Sequence, residues 1–134
     1  MGRVSNAVTI GFAALAAFQA ALAAGAPLGN AAWGGAHAEL TWGQRVGSGA
    51  AVFAYVAAIC IVRGRAAGRR ERPYRWGTWV LVGILGLAAI ANVASESQWE
   101  NYVLAPVAIV LAALCFLVAR NASMPGFSVR RPAR

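Results

Sequence analysis

Apolar residues gather into four long runs along the chain, and the segments between the runs are rich in glycine, arginine and other polar residues. Each run approaches the roughly twenty residues that an α-helix needs to cross a bilayer. We therefore predict an all-α integral membrane protein, a bundle of four transmembrane helices forming a single domain over residues 1–120. The helices are expected at about residues 4–24, 46–62, 77–95 and 102–119, followed by a cytoplasmic tail over 121–134.

The composition agrees with this pattern. Hydrophobic residues make up 60% and charged residues 12% of the 134 positions, and the mean hydropathy is +0.59, whereas about a quarter of the residues in a soluble domain are charged. The net charge of +8 and the pI near 11.3 are also typical of proteins that bind nucleic acid. Here the arginines lie in the short segments between apolar runs, so we expect the lipid bilayer as partner and no nucleic acid.

The distribution of charge predicts an orientation. All twelve basic residues are arginines, and eleven of them lie with a single glutamate in the N-terminal segment, the 63–76 segment and the tail. The other two connections contain only Arg45 together with Glu39, Glu96 and Glu100. Cytoplasmic loops carry the excess of arginine and lysine, so both termini are expected inside (N-in/C-in). We expect a multi-pass protein of a bacterial plasma (cytoplasmic) membrane, because the preference for arginine, alanine and glycine fits a GC-rich genome.

The first apolar run has a second interpretation, as a secretory signal peptide. Arg3 would then supply the basic start and 21–23 the small-residue cleavage site. Gln19 interrupts the apolar segment, which favours a retained helix. Cleavage would leave the orientation of the remaining loops unchanged.

The most distinctive polar stretch follows the third run. If that helix continued through it, four polar or aromatic residues would share about a third of its circumference, at i, i+3, i+4 and i+7: Asn92, Ser95, Glu96 and Trp99. This stripe predicts a binding site at the outer mouth of the bundle. The alternative is a solvated helix end with an interfacial tryptophan.

A long glycine-rich loop over 25–44 is expected to fold over the turn near residues 95–101, provided that the helices pack as two hairpins. It would bring further candidate ligand-binding residues to the same mouth: Trp33, His37, Glu39, Arg45 and Glu100. Arg45 is expected to pair with Glu96 or Glu100, since an arginine at the head of a membrane helix needs an anion. Such a pair could also be a purely structural clamp on the loop.

Other chemistry has weaker support. A single histidine with glutamates at unconstrained spacing is a weak metal signal, so we expect no metal and no cofactor.

Cys60 and Cys115 lie near the reducing side and are expected to be buried thiols. The glycine spacings 43/47 and 83/86 permit close helix approach, within the bundle or in a homo-oligomer.

Three functions remain open from the sequence. The first is a membrane protein whose outer pocket binds a lipid-like or small amphipathic ligand, or a partner membrane subunit. The second is a small membrane enzyme that uses His37 and glutamates on an outer-leaflet substrate. The third is an oligomeric channel or transporter. No ionisable residue falls in the middle of an apolar run, which argues against a charged path through one protomer.

Overall fold

The structure is a computed structural model that describes residues 2–121 of the chain. These residues form helices and connecting turns without a β-strand. Four helical segments are long and apolar enough to cross a membrane, which confirms the predicted number of apolar helices. They are α1 over Gly2–Ala24, α2 over Trp42–Ala66, α3 over Arg72–Val93 and α4 over Ala105–Asn121, the last preceded by a π-helical turn over Glu100–Leu104. The tail predicted for 121–134 lies, beyond Asn121, outside the described residues.

Helix α2 is longer than predicted at both ends. It begins at Trp42 rather than 46 because Thr41 and Gln44 form a reciprocal cap: the Thr41 hydroxyl accepts the Gln44 N–H at 3.4 Å, and the Gln44 side chain accepts the Thr41 N–H at 2.9 Å. At the other end the helix continues to Ala66. The chain then leaves the helix through Gly68, whose φ of +86° is a left-handed conformation that glycine adopts without strain.

Helix α3 begins at Arg72 rather than 77, because Pro73 in its first turn has the fixed φ that a helix start requires. It ends at Val93. The polar stripe depended on a helix that continues through Trp99, and this condition is not met, since the chain leaves the helix over residues 94–97.

The turn expected near residues 95–101 lies at 94–97, because the chain is helical again from Gln98 onward. The first turns are wide: the Ala105 N–H donates to the carbonyl of Glu100, five residues back. Pro106 follows directly. Because proline has no N–H to donate, the regular α-helical bond is missing there, and a wider turn is tolerated.

The helices pack mainly as two hairpins, α1 with α2 and α3 with α4. The connection over residues 25–41, called here the loop, and the turn over 94–97 lie at the same end of the bundle, which we call the loop end. The opposite end holds the 67–71 connection, the start of α1 and the end of α4. We call it the arginine end.

The apolar core lies mainly in the half of the bundle nearest the arginine end. Val8, Val62, Cys115 and Val118 are fully buried there, in one cluster that also includes Phe12, Ala58, Leu85 and Leu111. Helices α1 and α4 approach closely where Gly11 faces Leu111: a Cβ at residue 11 would lie 2.6 Å from that leucine. Cys115 is buried as expected, whereas Cys60 is exposed on the surface of the bundle.

One arginine of the arginine end is buried, whereas the other described arginines there are exposed. Arg65 is only 2% exposed, and its Nη2 donates to the carbonyl of Ala119 at 3.3 Å, near the C-terminus of α4. The last carbonyls of a helix have no partner within it and carry partial negative charge, so a cation there is stabilising.

Candidate functional site

The loop folds over the 94–97 turn, as the sequence predicts for two packed hairpins. The Ser97 hydroxyl donates to the carbonyl of Asn30 at 2.8 Å, and the backbone N–H of Gly34 donates to Glu100 Oε1 at 3.2 Å. Contact is close: a Cβ at Gly35 would lie 2.9 Å from the Cβ of Ser97. These contacts, called here the latch, join the first hairpin to the second.

Glu100 is the buried acid of the loop end, with 8% of its surface exposed. One carboxylate oxygen accepts the Gly34 N–H, and the other accepts the hydroxyl of Ser95. Gly34 can aim its N–H at this carboxylate because its φ of +82° is left-handed. Within residues 2–121 no ion pair joins Glu100 to an arginine, so neutral donors alone hold its carboxylate.

Trp33 folds from the loop towards α2. Its indole N–H donates to the Ser48 hydroxyl at 3.1 Å, and its ring lies over Gly47, where a Cβ would be 2.8 Å from the ring. Trp33 has φ of +55°, a left-handed conformation that costs a residue other than glycine roughly 1–2 kcal/mol. The contacts of its side chain offset that strain.

Gly47 therefore packs against the aromatic ring of Trp33 rather than against a second helix. Gly43, Gly83 and Gly86 have no neighbouring atom within 4 Å of a built Cβ. Within the described part of the chain, the 43/47 and 83/86 spacings thus do not mediate close helix packing.

Arg45 does not pair with Glu96 or Glu100, and that prediction is wrong. Its Nε donates to the carbonyl of Ala23 at 3.1 Å, and its guanidinium lies against Gly25. The physical reason is the same as at Arg65, because the unpaired carbonyls at the end of α1 attract a cation. Arg45 thus caps the C-terminus of α1.

Beneath the loop, a cavity of about 280 Å³ opens inside the loop-end half of the bundle. This volume is close to the lower end of the range of small-molecule pockets, about 300–1,000 Å³. Most of its lining is apolar. The polar lining residues come from all four helical segments and the loop: Gln19, Trp33, Tyr55, Asn92 and Glu100.

Several polar atoms of this cavity have no protein partner. The Oε1 atom of Gln19 is buried and makes no hydrogen bond in the structure. The side chains of Tyr55 and Asn92 likewise make no hydrogen bond to another residue of the 2–121 range. A buried, unpaired amide oxygen such as that of Gln19 costs roughly 1–3 kcal/mol, a cost that a hydrogen bond from a molecule in the cavity would offset.

A second, largely apolar groove of about 470 Å³ lies beside the cavity. It shares Phe18 and Leu104 with the cavity lining, and its other walls include Pro27, Leu28 and Trp99. The cavity, which has five polar lining residues, and the apolar groove therefore meet at two common side chains.

The structure brings together only part of the predicted set. Trp33, Asn92 and Glu100 line the cavity. The hydroxyl of Ser95 donates a hydrogen bond to the carboxylate of Glu100. Arg45 caps α1, and Trp99 lies in the groove.

The three remaining candidates lie apart. His37, Glu39 and Glu96 are exposed, and their side chains make no hydrogen bond to a described residue. In the range 2–121, no three histidine, cysteine or acidic side chains are grouped closely enough to hold a metal ion.

Two lining residues, Gln19 and Tyr55, were not among the predicted site residues. A signal for each is present in the sequence. Gln19 is a polar side chain within an apolar run, and Tyr55 lies in the middle of its run, far from the interfaces where membrane tyrosines usually lie.

No protein-family model matches this chain, and neither the curated protein sequences nor the solved structures contain a significant match.

Proposed function

We propose that this chain is a multi-pass protein of a bacterial cytoplasmic membrane that binds a small amphipathic, lipid-like molecule at its loop end. In this proposal α1 to α4 span the bilayer, both termini are cytoplasmic and the loop end faces outward. The support is the length and apolar character of the four helices and the concentration of arginine at one end.

The observation that carries the binding function is the unpaired oxygen of Gln19 in a cavity that Asn92 and Glu100 also line. Polar atoms away from water are usually hydrogen-bonded, and exceptions are found at functional sites. A ligand head with hydrogen-bonding groups would pair with these atoms. The groove beside Phe18 and Leu104 offers an apolar surface for the rest of an amphipathic molecule.

The test is the recovery of a bound molecule. The chain would be extracted in a mild nonionic detergent, and its organic extract compared by mass spectrometry with that of Asn92→Leu and of a matched control, Gln98→Leu. Asn92 lines the cavity, whereas Gln98 is exposed at the same end. We expect a molecule that is enriched in the wild type and in Gln98→Leu and is absent from Asn92→Leu. Equal recovery from all three would contradict the proposal.

Orientation has its own test. In a variant whose Cys60 and Cys115 are replaced by alanine, single cysteines would be introduced at 37, 68, 98 and 128 and treated with an impermeant thiol reagent in intact cells. We expect labelling at 37 and 98 only. Labelling at 68 would contradict the N-in/C-in orientation.

The other two functions receive less support. An enzyme using His37 and glutamates would need these groups within hydrogen-bond reach, whereas His37 is exposed and makes no such bond to a described carboxylate. For an oligomeric channel or transporter, the open edge at Gly83 and Gly86 offers a surface where a helix of a second copy could approach.

A further inference from the structure

We infer, on the basis of the proposed binding function, that the ligand head is an organic cation, an ammonium group carried by an amphiphile. The cavity that would receive it combines one carboxylate with three aromatic rings, and its lining contains no arginine.

Charge is the first argument. Glu100 is the only acid in the lining, and both of its oxygens accept bonds from neutral donors, the Gly34 N–H and the Ser95 hydroxyl. Arg45, in the first turn of α2, donates to the carbonyl of Ala23 instead. A buried carboxylate without an opposite charge is costly. A cation in the cavity would compensate it, whereas an anionic head would be repelled and a neutral head would leave the charge unpaired.

The aromatic lining is the second argument. Phe18, Trp33 and Tyr55 reach the cavity from α1, the loop and α2. The face of an aromatic ring is electron-rich and attracts cations, and groups of such rings bind quaternary ammonium ions in other proteins. The strained conformation of Trp33 places one of these rings at the cavity wall.

Hydrogen bonding is the third argument. The unpaired atom of Gln19 is its oxygen, which can only accept. A protonated amine would donate to this oxygen, and a methylated ammonium presents polarised C–H groups there. This buried acceptor, together with the carboxylate of Glu100, therefore favours a head group with positive charge.

The experiment uses three probes of the same chain length and different charge: octyltrimethylammonium, its uncharged carbon isostere in which the ammonium nitrogen is replaced by carbon, and octylsulfonate. Binding to the full chain in nonionic detergent would be measured by calorimetry. We expect the ammonium to bind at least about tenfold more tightly than the carbon isostere, a difference typical of a desolvated cation–π site with a nearby charge, and octylsulfonate to bind most weakly.

The decisive variant is Glu100→Gln, with Glu96→Gln as the matched control. Glutamine has the same shape as glutamate and retains an oxygen for the Gly34 N–H, while Glu96 is an exposed acid outside the cavity. We expect Glu100→Gln to remove most of the preference for ammonium over the carbon isostere and Glu96→Gln to leave it unchanged. If Glu100→Gln does not fold, Tyr55→Leu tests the same preference through the loss of one ring.

The outcomes separate the two proposals. Equal binding of the ammonium and carbon probes, or a preference that survives both Glu100→Gln and Tyr55→Leu, would overturn the cation inference and leave amphiphile binding in place. Binding of none of the three probes would also overturn the cation inference, while the proposed function is decided separately by the recovery of a bound molecule.

Discussion

The half of the bundle near the arginine end and the half beneath the loop are built from similar helices but are filled differently. The first half is closed by fully buried apolar side chains such as Val8, Val62 and Val118. The second half keeps an open cavity lined by side chains such as Gln19 and Asn92, which have no protein partner. The difference indicates that one half provides the stability that allows the other to remain incompletely packed, which is a common arrangement for binding sites.

Each half nevertheless has an arginine that caps the C-terminus of a helix. Arg65 caps the C-terminus of α4 at the arginine end, and Arg45 caps that of α1 at the loop end. Both arginines belong to α2, so this helix contacts the ends of its neighbours at both sides of the bundle. The capping contacts are thus independent of which half is well packed.

The largest expected effect tests the difference in packing. Phe12→Ala should lower the free energy of unfolding by about 3 kcal/mol, because it removes a fully buried ring from the packed half. Phe18→Ala, the same change in the loop-end half of the same helix, should cost less than half as much, since Phe18 borders the cavity and groove. Unfolding in detergent, followed by circular dichroism, measures both. Equal losses would show that the halves are equally packed.

The second prediction concerns the capping arginines. Arg65→Ala should destabilise the protein by about 2–3 kcal/mol and Arg45→Ala by about 1–2 kcal/mol, since hydrogen bonds from charged groups are among the stronger ones and Arg65 is the more deeply buried. Arg69→Ala is the control, because the Arg69 side chain is exposed and donates to the hydroxyl of Tyr74 rather than to a carbonyl at the end of a helix. The same thermal shift for all three variants would argue against capping.

These arginines illustrate what could be predicted from the sequence. The number of apolar helices follows from run length alone, because a bilayer sets that length. The partner of Arg45 could not be inferred by matching charges, since the alternative partner is a backbone carbonyl that every sequence contains. The end of α3 could not be predicted either, because no glycine or proline marks the turn at 94–97. The signals present there are Ser95 and Ser97, whose side chains accept hydrogen bonds from nearby backbone N–H groups.

The sequence also could not show which acid, Glu96 or Glu100, is buried. Asn92, Glu96 and Trp99 would share one face only if α3 continued, and the turn instead exposes Glu96 and buries Glu100. Which acid points inward depends on how the loop packs on the turn, and that packing depends on contacts between residues more than sixty positions apart. Helical periodicity contains no information about such contacts.

The third prediction tests the latch. Ser97→Ala should cost about 1 kcal/mol, because it removes the bond to Asn30 from a buried position. The loss should be local: hydrogen exchange should rise in residues 29–36 and remain unchanged in the packed half around Val62. Gln98→Ala, an exposed neighbour, is the control. A uniform rise along the chain would mean that the latch contributes to the whole bundle.

The smallest effect on stability is expected at the cavity itself. Gln19→Leu removes the buried, unpaired oxygen and should leave the stability unchanged or raise it by up to about 1 kcal/mol. Binding of an amphiphile should weaken in the same variant. Thermal unfolding measures the stability of this variant, and calorimetry measures its binding of the amphiphile. A clear loss of stability would indicate that Gln19 has a structural role instead.

The latch also has a consequence for how the chain assembles. Each hairpin is formed by helices that are neighbours in sequence, so its contacts are local and can form before the two hairpins associate. The bonds from Ser97 and Glu100 to the loop require both hairpins to be in place. We therefore expect these bonds to form late in assembly. Breaking only these bonds would uncover the cavity from the loop side, so the proposed ligand would enter by reversing the step that we expect to complete folding.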